Sequence, residues 1–199
     1  FVRNIVWQAG EPQVSEAGMK LGFTLNHGPA TQKFWSAEFQ AQVQIHLSPN
    51  ALKVDLSVNN LGETALQFTG ALHTYLAVSD ISTTSLTGLQ GRAEWDAVRD
   101  AHSQASETLT FNGEFDRVYA ASPKPLVLQD GARVLEISQS PSWAQTVVWN
   151  PGETLCAALA DMPPDGFAHM LCVEAAQVFS PIHVPAHGHW QGWQSLTLQ

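Results

Sequence analysis

Basic residues are scarce in this sequence. Nine Lys and Arg stand against eighteen Asp and Glu, a formal charge of -9 over 199 residues. The nine are scattered from Arg3 to Arg133 and form no stripe, which excludes a surface built to neutralise a nucleic-acid backbone. Cysteine is scarcer still. Cys156 and Cys172 are too few for a disulfide framework and lack the CxxC spacing of zinc or thiol-redox sites, so two reduced packing thiols are expected. No apolar run approaches the roughly 20 residues of a membrane-spanning helix. The opening Phe-Val-Arg-Asn-Ile-Val-Trp lacks the charged start and small-residue cleavage site of a secretory signal. A cytoplasmic chain with no membrane partner is the expectation. Glycine-rich phosphate loops, a GxSxG elbow, repeats and low-complexity segments are all missing. Helical periodicity is nearly missing too, and only Asp96 to Ala105 is long enough for two or three helical turns.

What is present is apolar residue arranged at period two. Hydrophobic residues make up 44% of the chain, with seven Trp and nine Phe, enough for one sizeable core in a single domain over residues 1–199. Ala41, Val43, Ile45 and Leu47 alternate with Gln42, Gln44, His46 and Ser48. After the turn signal Ser48-Pro49-Asn50, Leu52, Val54, Leu56 and Val58 alternate with Lys53, Asp55, Ser57 and Asn59. These two runs predict an antiparallel hairpin. Leu66 to Val78 predicts a further long strand bearing His73. Short extended segments are expected near 85–89, 108–111, 117–120, 126–129, 134–138, 144–149, 169–174 and 194–198, and the abrupt apolar start at Phe1 and Val2 also looks like a strand. Met162-Pro163-Pro164-Asp165-Gly166 reads as a tight surface connection. Many short strands at turn-like spacing predict an all-β sandwich of antiparallel sheets.

Chemistry has to come from His, Asp and Glu carried on such strands. In Ala71-Leu72-His73-Thr74-Tyr75-Leu76, period two places His73 and Tyr75 on one face and Leu72, Thr74 and Leu76 on the other. His73 is either a hydrogen-bonded structural histidine or a proton-transfer group. Glu174, in His169-Met170-Leu171-Cys172-Val173-Glu174-Ala175, is either a wetted strand end or a buried carboxyl with a tuned pKa. Together they suit general acid and base work. His183, His187 and His189 invite a metal reading. No carboxylate or thiol completes a shell beside them, and Pro185 and Gly188 mark a loop, so solvent-exposed imidazoles and no metal are expected.

Several ordered motifs resemble one known family. Leu72-His73-Thr74-Tyr75, Val78-Ser79-Asp80-Ile81 and Gly88-Leu89 are followed by Thr146-Val147-Val148-Trp149-Asn150-Pro151-Gly152, Ala160-Asp161-Met162 and Met170-Leu171-Cys172-Val173-Glu174-Ala175. In this order they look like the hexose-6-phosphate mutarotases, the glucose-6-phosphate 1-epimerase branch of the aldose 1-epimerase superfamily. The resemblance implies a galactose mutarotase-like β-sandwich that lacks its N-terminal strands here, since Phe1-Val2-Arg3-Asn4 matches a segment following a His-Gly in the family. It implies His73 as catalytic acid, Glu174 as catalytic base, Asp116 in Phe115-Asp116-Arg117-Val118-Tyr119 as a sugar-binding aspartate and Arg3 as a phosphate-binding arginine. No cofactor is expected, the substrate is a hexose 6-phosphate, and a monomer is expected. Trp149 or Trp143 would stack on the sugar, or pack in the core. Two other readings are a carbohydrate-binding module without turnover and an aldose 1-epimerase acting on unphosphorylated sugar.

Overall fold

The computed structural model describes residues Phe1 to Gln199. Its strands are β1 (Gln8–Ala9), β2 (Gln13–Ser15), β3 (Gly18–Asn26), β4 (Phe39–Leu47), β5 (Ala51–Asn60), β6 (Leu66–Leu72), β7 (Tyr75–Ala77), β8 (Ser85–Thr87) and β9 (Ala93–Asp96). There follow β10 (Ala101–Gln104), β11 (Thr108–Thr110), β12 (Phe115–Ala120), β13 (Leu126–Asp130), β14 (Arg133–Gln139), β15 (Gln145–Asn150), β16 (Met170–Val184) and β17 (His189–Leu198). Helix is confined to α1 (Pro29–Gln32), α2 (Gly152–Ala158) and two 3-10 turns, and none of it is long and apolar enough to cross a membrane.

All pairings are antiparallel and divide between two sheets. Ten strands form the first, in the order β1-β3-β4-β5-β17-β14-β13-β8-β11 with β2 on β3. Seven form the second, β10-β9-β12-β15-β16-β6 with β7 also on β16. The predicted hairpin is β4–β5, in register from Phe39 opposite Asn60 to Leu47 opposite Leu52. On the apolar side Phe39, Ala41 and Val58 are buried at one end of the hairpin, whereas Leu47 at the turn is exposed and Asp55 of the polar side is buried. The main core lies between the sheets and includes Leu86, Leu128, Ile137, Val148, Leu171, Val173 and Tyr119. A second cluster gathers Leu25, Phe39, Ala41, Val58, Trp143 and Val184.

Three expectations are corrected. Asp96 to Ala105 is no helix but the β9–β10 hairpin, because Asp96 Oδ1 accepts the backbone N–H of Val98 and of Arg99, both at 3.1 Å, and bends the chain at once. Residues 66–78 are not one strand: β6 and β7 are interrupted at His73 and Thr74, where the Thr74 N–H turns back to the Leu72 carbonyl at 2.9 Å. The start of the chain is a 3-10 turn over Val2–Asn4, not a strand. It folds back so that Phe1 stacks on Phe34 with centroids 5.6 Å apart. The Met162–Gly166 connection is as expected and leads into a 3-10 turn at Gly166–His169.

Candidate active site

The interruption between β6 and β7 is where chemistry-bearing side chains meet. On β16, Leu171 and Val173 point into the core between the sheets, so Cys172 and Glu174 face the other way. Register then lines up four strands. Cys172 stands opposite Tyr75 on β7 and opposite Trp149 on β15, and Trp149 stands opposite Asp116 on β12. Tyr75, Cys172, Trp149 and Asp116 therefore form one row on the outer face of the seven-stranded sheet.

His73 joins that face through the strand break. Leu72 pairs with Ala175, and Tyr75 with Cys172, the same register on either side of the gap. His73 thus stands opposite Glu174, and Thr74 opposite Val173. Only the Val173 N–H bond to the Thr74 carbonyl bridges the gap, at 3.3 Å. In an antiparallel ladder the residue pair flanking a hydrogen-bonded pair carries its side chains closest together. Accordingly His73 Nδ1 lies 3.3 Å from Glu174 Oε1. The imidazole is stacked on Tyr75 (4.8 Å, 9° between planes) and meets Trp149 edge-on at 6.1 Å, which fixes its plane.

The electrostatics of the pair are opposed. Glu174 is 4% exposed, and desolvation, helped by the negative charge of Asp116, pushes its carboxyl pKa up to about 7. The His73 imidazole is lowered, first by partial burial and then by the positive charge of Arg3. Asp116 is raised by desolvation and by Glu114 and Asp96. The Cys172 thiol is pushed far above its usual range by burial and by Glu174, so it is no nucleophile. Among possible metal donors only His73, Cys172 and Glu174 converge, within 4.8 Å of one another. Two of these three are buried groups whose surroundings favour their protonated forms. The arrangement is suited to moving a proton between a carboxyl and an imidazole.

The four residues expected at a site fall as follows. His73 and Glu174 are in contact; Asp116 ends the Tyr75–Cys172–Trp149 row; and Arg3, exposed on the first turn, shares with His73 a largely apolar cavity of about 600 Å³. Trp149 is on the site face, whereas Trp143 is 1% exposed and packs edge-on against Trp190, which makes it a core residue. His183, His187 and His189 are exposed and do not converge: His187 Nε2 contacts a Glu63 carboxylate oxygen at 3.2 Å and His189 Nδ1 contacts Asn59 Oδ1 at 2.7 Å. Sequence reasoning missed the stacking role of Tyr75 and the place of Cys172 beneath the pair. The signal for Tyr75 was its shared face with His73; for Cys172 it was its spacing of two from Glu174.

Residues 1–197 match the family model described as aldose 1-epimerase. The chain belongs to the aldose 1-epimerase family. Within it, a protein of Escherichia coli K12 provisionally named glucose-6-phosphate 1-epimerase is 33% identical over 180 residues, 88% of this chain and 59% of that one. A Cenchrus ciliaris protein of the same provisional name is 28% identical over 211 residues, 99% of this chain and 63% of that one. A solved structure of a provisionally named mutarotase from Salmonella typhimurium superposes with a TM-score of 0.91 at 26% identity, covering 100% of this chain and 66% of that one. The fold is thereby the galactose mutarotase-like sandwich. The chain spans about 60% of the length of the curated relatives it matches.

Proposed function

We propose that the protein interconverts the α and β anomers of a hexose 6-phosphate without a cofactor, over one mutarotase-like unit formed by residues 1–199. The observation that carries this reading is the 3.3 Å approach of His73 Nδ1 and Glu174 Oε1 on an open sheet face. Anomer exchange needs proton transfers only. Glu174 takes the proton from the anomeric hydroxyl as C1=O1 forms, the C1–O5 bond breaks, and O5 takes a proton from the His73 imidazolium. After rotation about C1–C2, His73 recovers the proton from O5, Glu174 returns one to O1, and the ring closes on the other face.

The opposed pKa shifts serve both halves of this cycle. Burial makes Glu174 a stronger base than an exposed carboxylate, and Arg3 together with burial makes the imidazolium a stronger acid than a free one. Both shifts favour the neutral forms, a protonated Glu174 and an uncharged His73, which is the state that closes the ring. A phosphate on Arg3 offsets the second of the two causes that lower His73, after burial, and so favours the imidazolium, the state that opens the ring. Asp116 receives sugar hydroxyls, and Trp149 offers an apolar face to the ring. The names of the curated relatives support the phosphorylated substrate.

Exchange of fresh α-glucose 6-phosphate followed by polarimetry or NMR tests the reading. We expect Glu174→Gln and His73→Asn each to lower kcat by roughly 10²- to 10⁴-fold with KM little changed. Binding of the sugar without any acceleration of exchange would leave a carbohydrate-binding module in place of the enzyme.

A further inference from the structure

We infer that Gln194, on the opposite sheet, is a positioning residue that holds open the strand break on which the His73–Glu174 pair depends. The inference rests on the proposed proton exchange between that pair and a sugar. Gln194 lies on the core side of β17 and is 3% exposed. Its Oε1 accepts the Thr74 hydroxyl at 2.5 Å, and its Nε2 donates to the Val173 carbonyl at 3.0 Å. Thr74 follows His73, and Val173 precedes Glu174. One buried amide from the other sheet is therefore fastened to the chain neighbour of each member of the pair.

The ladder explains why this amide is needed. Val173 and Thr74 are register partners and in a regular antiparallel pair would exchange two backbone hydrogen bonds. They make one, from the Val173 N–H. The Thr74 N–H is turned to Leu72 instead, so the Val173 carbonyl has lost its ladder donor inside the core. An unpaired buried carbonyl is costly. Gln194 Nε2 supplies the missing donor, and Gln194 Oε1 holds the Thr74 side chain in the turned position. Without Gln194 the cheapest repair is for Thr74 to swing its N–H back to Val173. That straightens β6 into β7 and carries His73 with it, away from its stack on Tyr75 and its 3.3 Å approach to Glu174.

Gln139 provides a matched comparison. It is the register partner of Gln194 on β14. It reaches the same opposite sheet, accepting the Thr146 hydroxyl at 2.8 Å and donating to the carbonyls of Gln145 at 2.9 Å and Trp143 at 3.3 Å, but makes no hydrogen bond to a chain neighbour of His73 or Glu174.

The test compares Gln194→Met with Gln139→Met by two readouts: anomer exchange of glucose 6-phosphate, and titration of the His73 imidazole by NMR, which requires no turnover. Gln194→Met should lower kcat between roughly 10- and 100-fold with KM within about twofold, and should shift the His73 titration; Gln139→Met should do neither. Thr74→Val, which removes the hydroxyl's bonds to Gln194 Oε1 at 2.5 Å and to the Leu72 carbonyl at 3.4 Å, should reproduce part of the loss, and Thr74→Ser should restore it. These two decide the matter if Gln194→Met does not fold. Equal effects of the two Met variants, or an unchanged kcat and His73 titration in folded Gln194→Met, would overturn the inference. If the unaltered protein exchanges no anomers, the proposed function fails, while the His73 titrations still decide whether Gln194 positions the imidazole.

Discussion

At the scale of single residues, the cost of function is concentrated in Glu174. A carboxyl with a pKa raised to about 7 in the folded state and an ordinary value when unfolded binds its proton more tightly folded. Its contribution to stability is full at pH values below the unfolded pKa and is lost as pH rises through about 7. Glu174→Gln, which carries no charge, escapes that loss. We expect the variant to equal the wild type near pH 4 and to exceed it at pH 8 by on the order of 1–3 kcal/mol, measured by urea unfolding at the two pH values. The same variant should be nearly inactive, so stability and activity would move in opposite directions. Arg3 makes a second case. Removing its charge in Arg3→Gln should raise the His73 titration followed by NMR, since that charge is a cause of its depression. It should also raise KM for glucose 6-phosphate more than for glucose. Equal KM changes on both sugars would remove Arg3 from the phosphate.

Among elements, legibility followed the strength of local pattern. β4 and β5 alternate strictly around a Ser-Pro-Asn turn and were readable residue by residue. β3 carries the same signal in Met19, Leu21, Phe23 and Leu25 and belonged among the readable strands. The break after Leu72 was not readable, because no Gly or Pro stands between Leu72 and Tyr75 and the buried bonds that Gln194 makes to Thr74 and Val173 come from far away in sequence. The helix expected at 96–105 lost to a side-chain acceptor at Asp96, a competition that composition alone does not weigh. His73 and Glu174 were readable as candidates from polarity within apolar runs, but their contact follows from register across β16. The Asn150-Pro151-Gly152 motif has a plain physical meaning. Asn150 is 1% exposed, donates to the carbonyls of Phe167 and Met170 at 2.8 Å each, and accepts the Gly152 N–H at 2.8 Å. Gly152 itself has φ +63°, and a Cβ there would sit 2.5 Å from the Glu114 backbone nitrogen. Gly152→Ala should therefore cost about 2–4 kcal/mol, read as a lowered urea midpoint with unchanged slope.

Across the whole molecule, the seven-stranded sheet carries the His73–Glu174 pair and its row on the outer face, while the ten-stranded sheet places Gln194 behind the pair and, through β4 and β5, walls part of the cavity that Arg3 shares with His73. The row Tyr75–Cys172–Trp149–Asp116 draws its members from four strands widely separated in sequence, and each faces outward only because its strand keeps an even count from its neighbours. Parity is thus the hidden specification. Removing one residue inside β12, such as Val118, would turn either Asp116 toward the core or Tyr119 toward water, and we expect no folded protein by circular dichroism or gel filtration. Removing Ser122 from the connection that follows should leave folded protein. Over evolutionary time such a face admits new side chains at fixed places far more readily than new lengths of chain. Its chemistry is free to drift, while the spacing of its strands stays quantised.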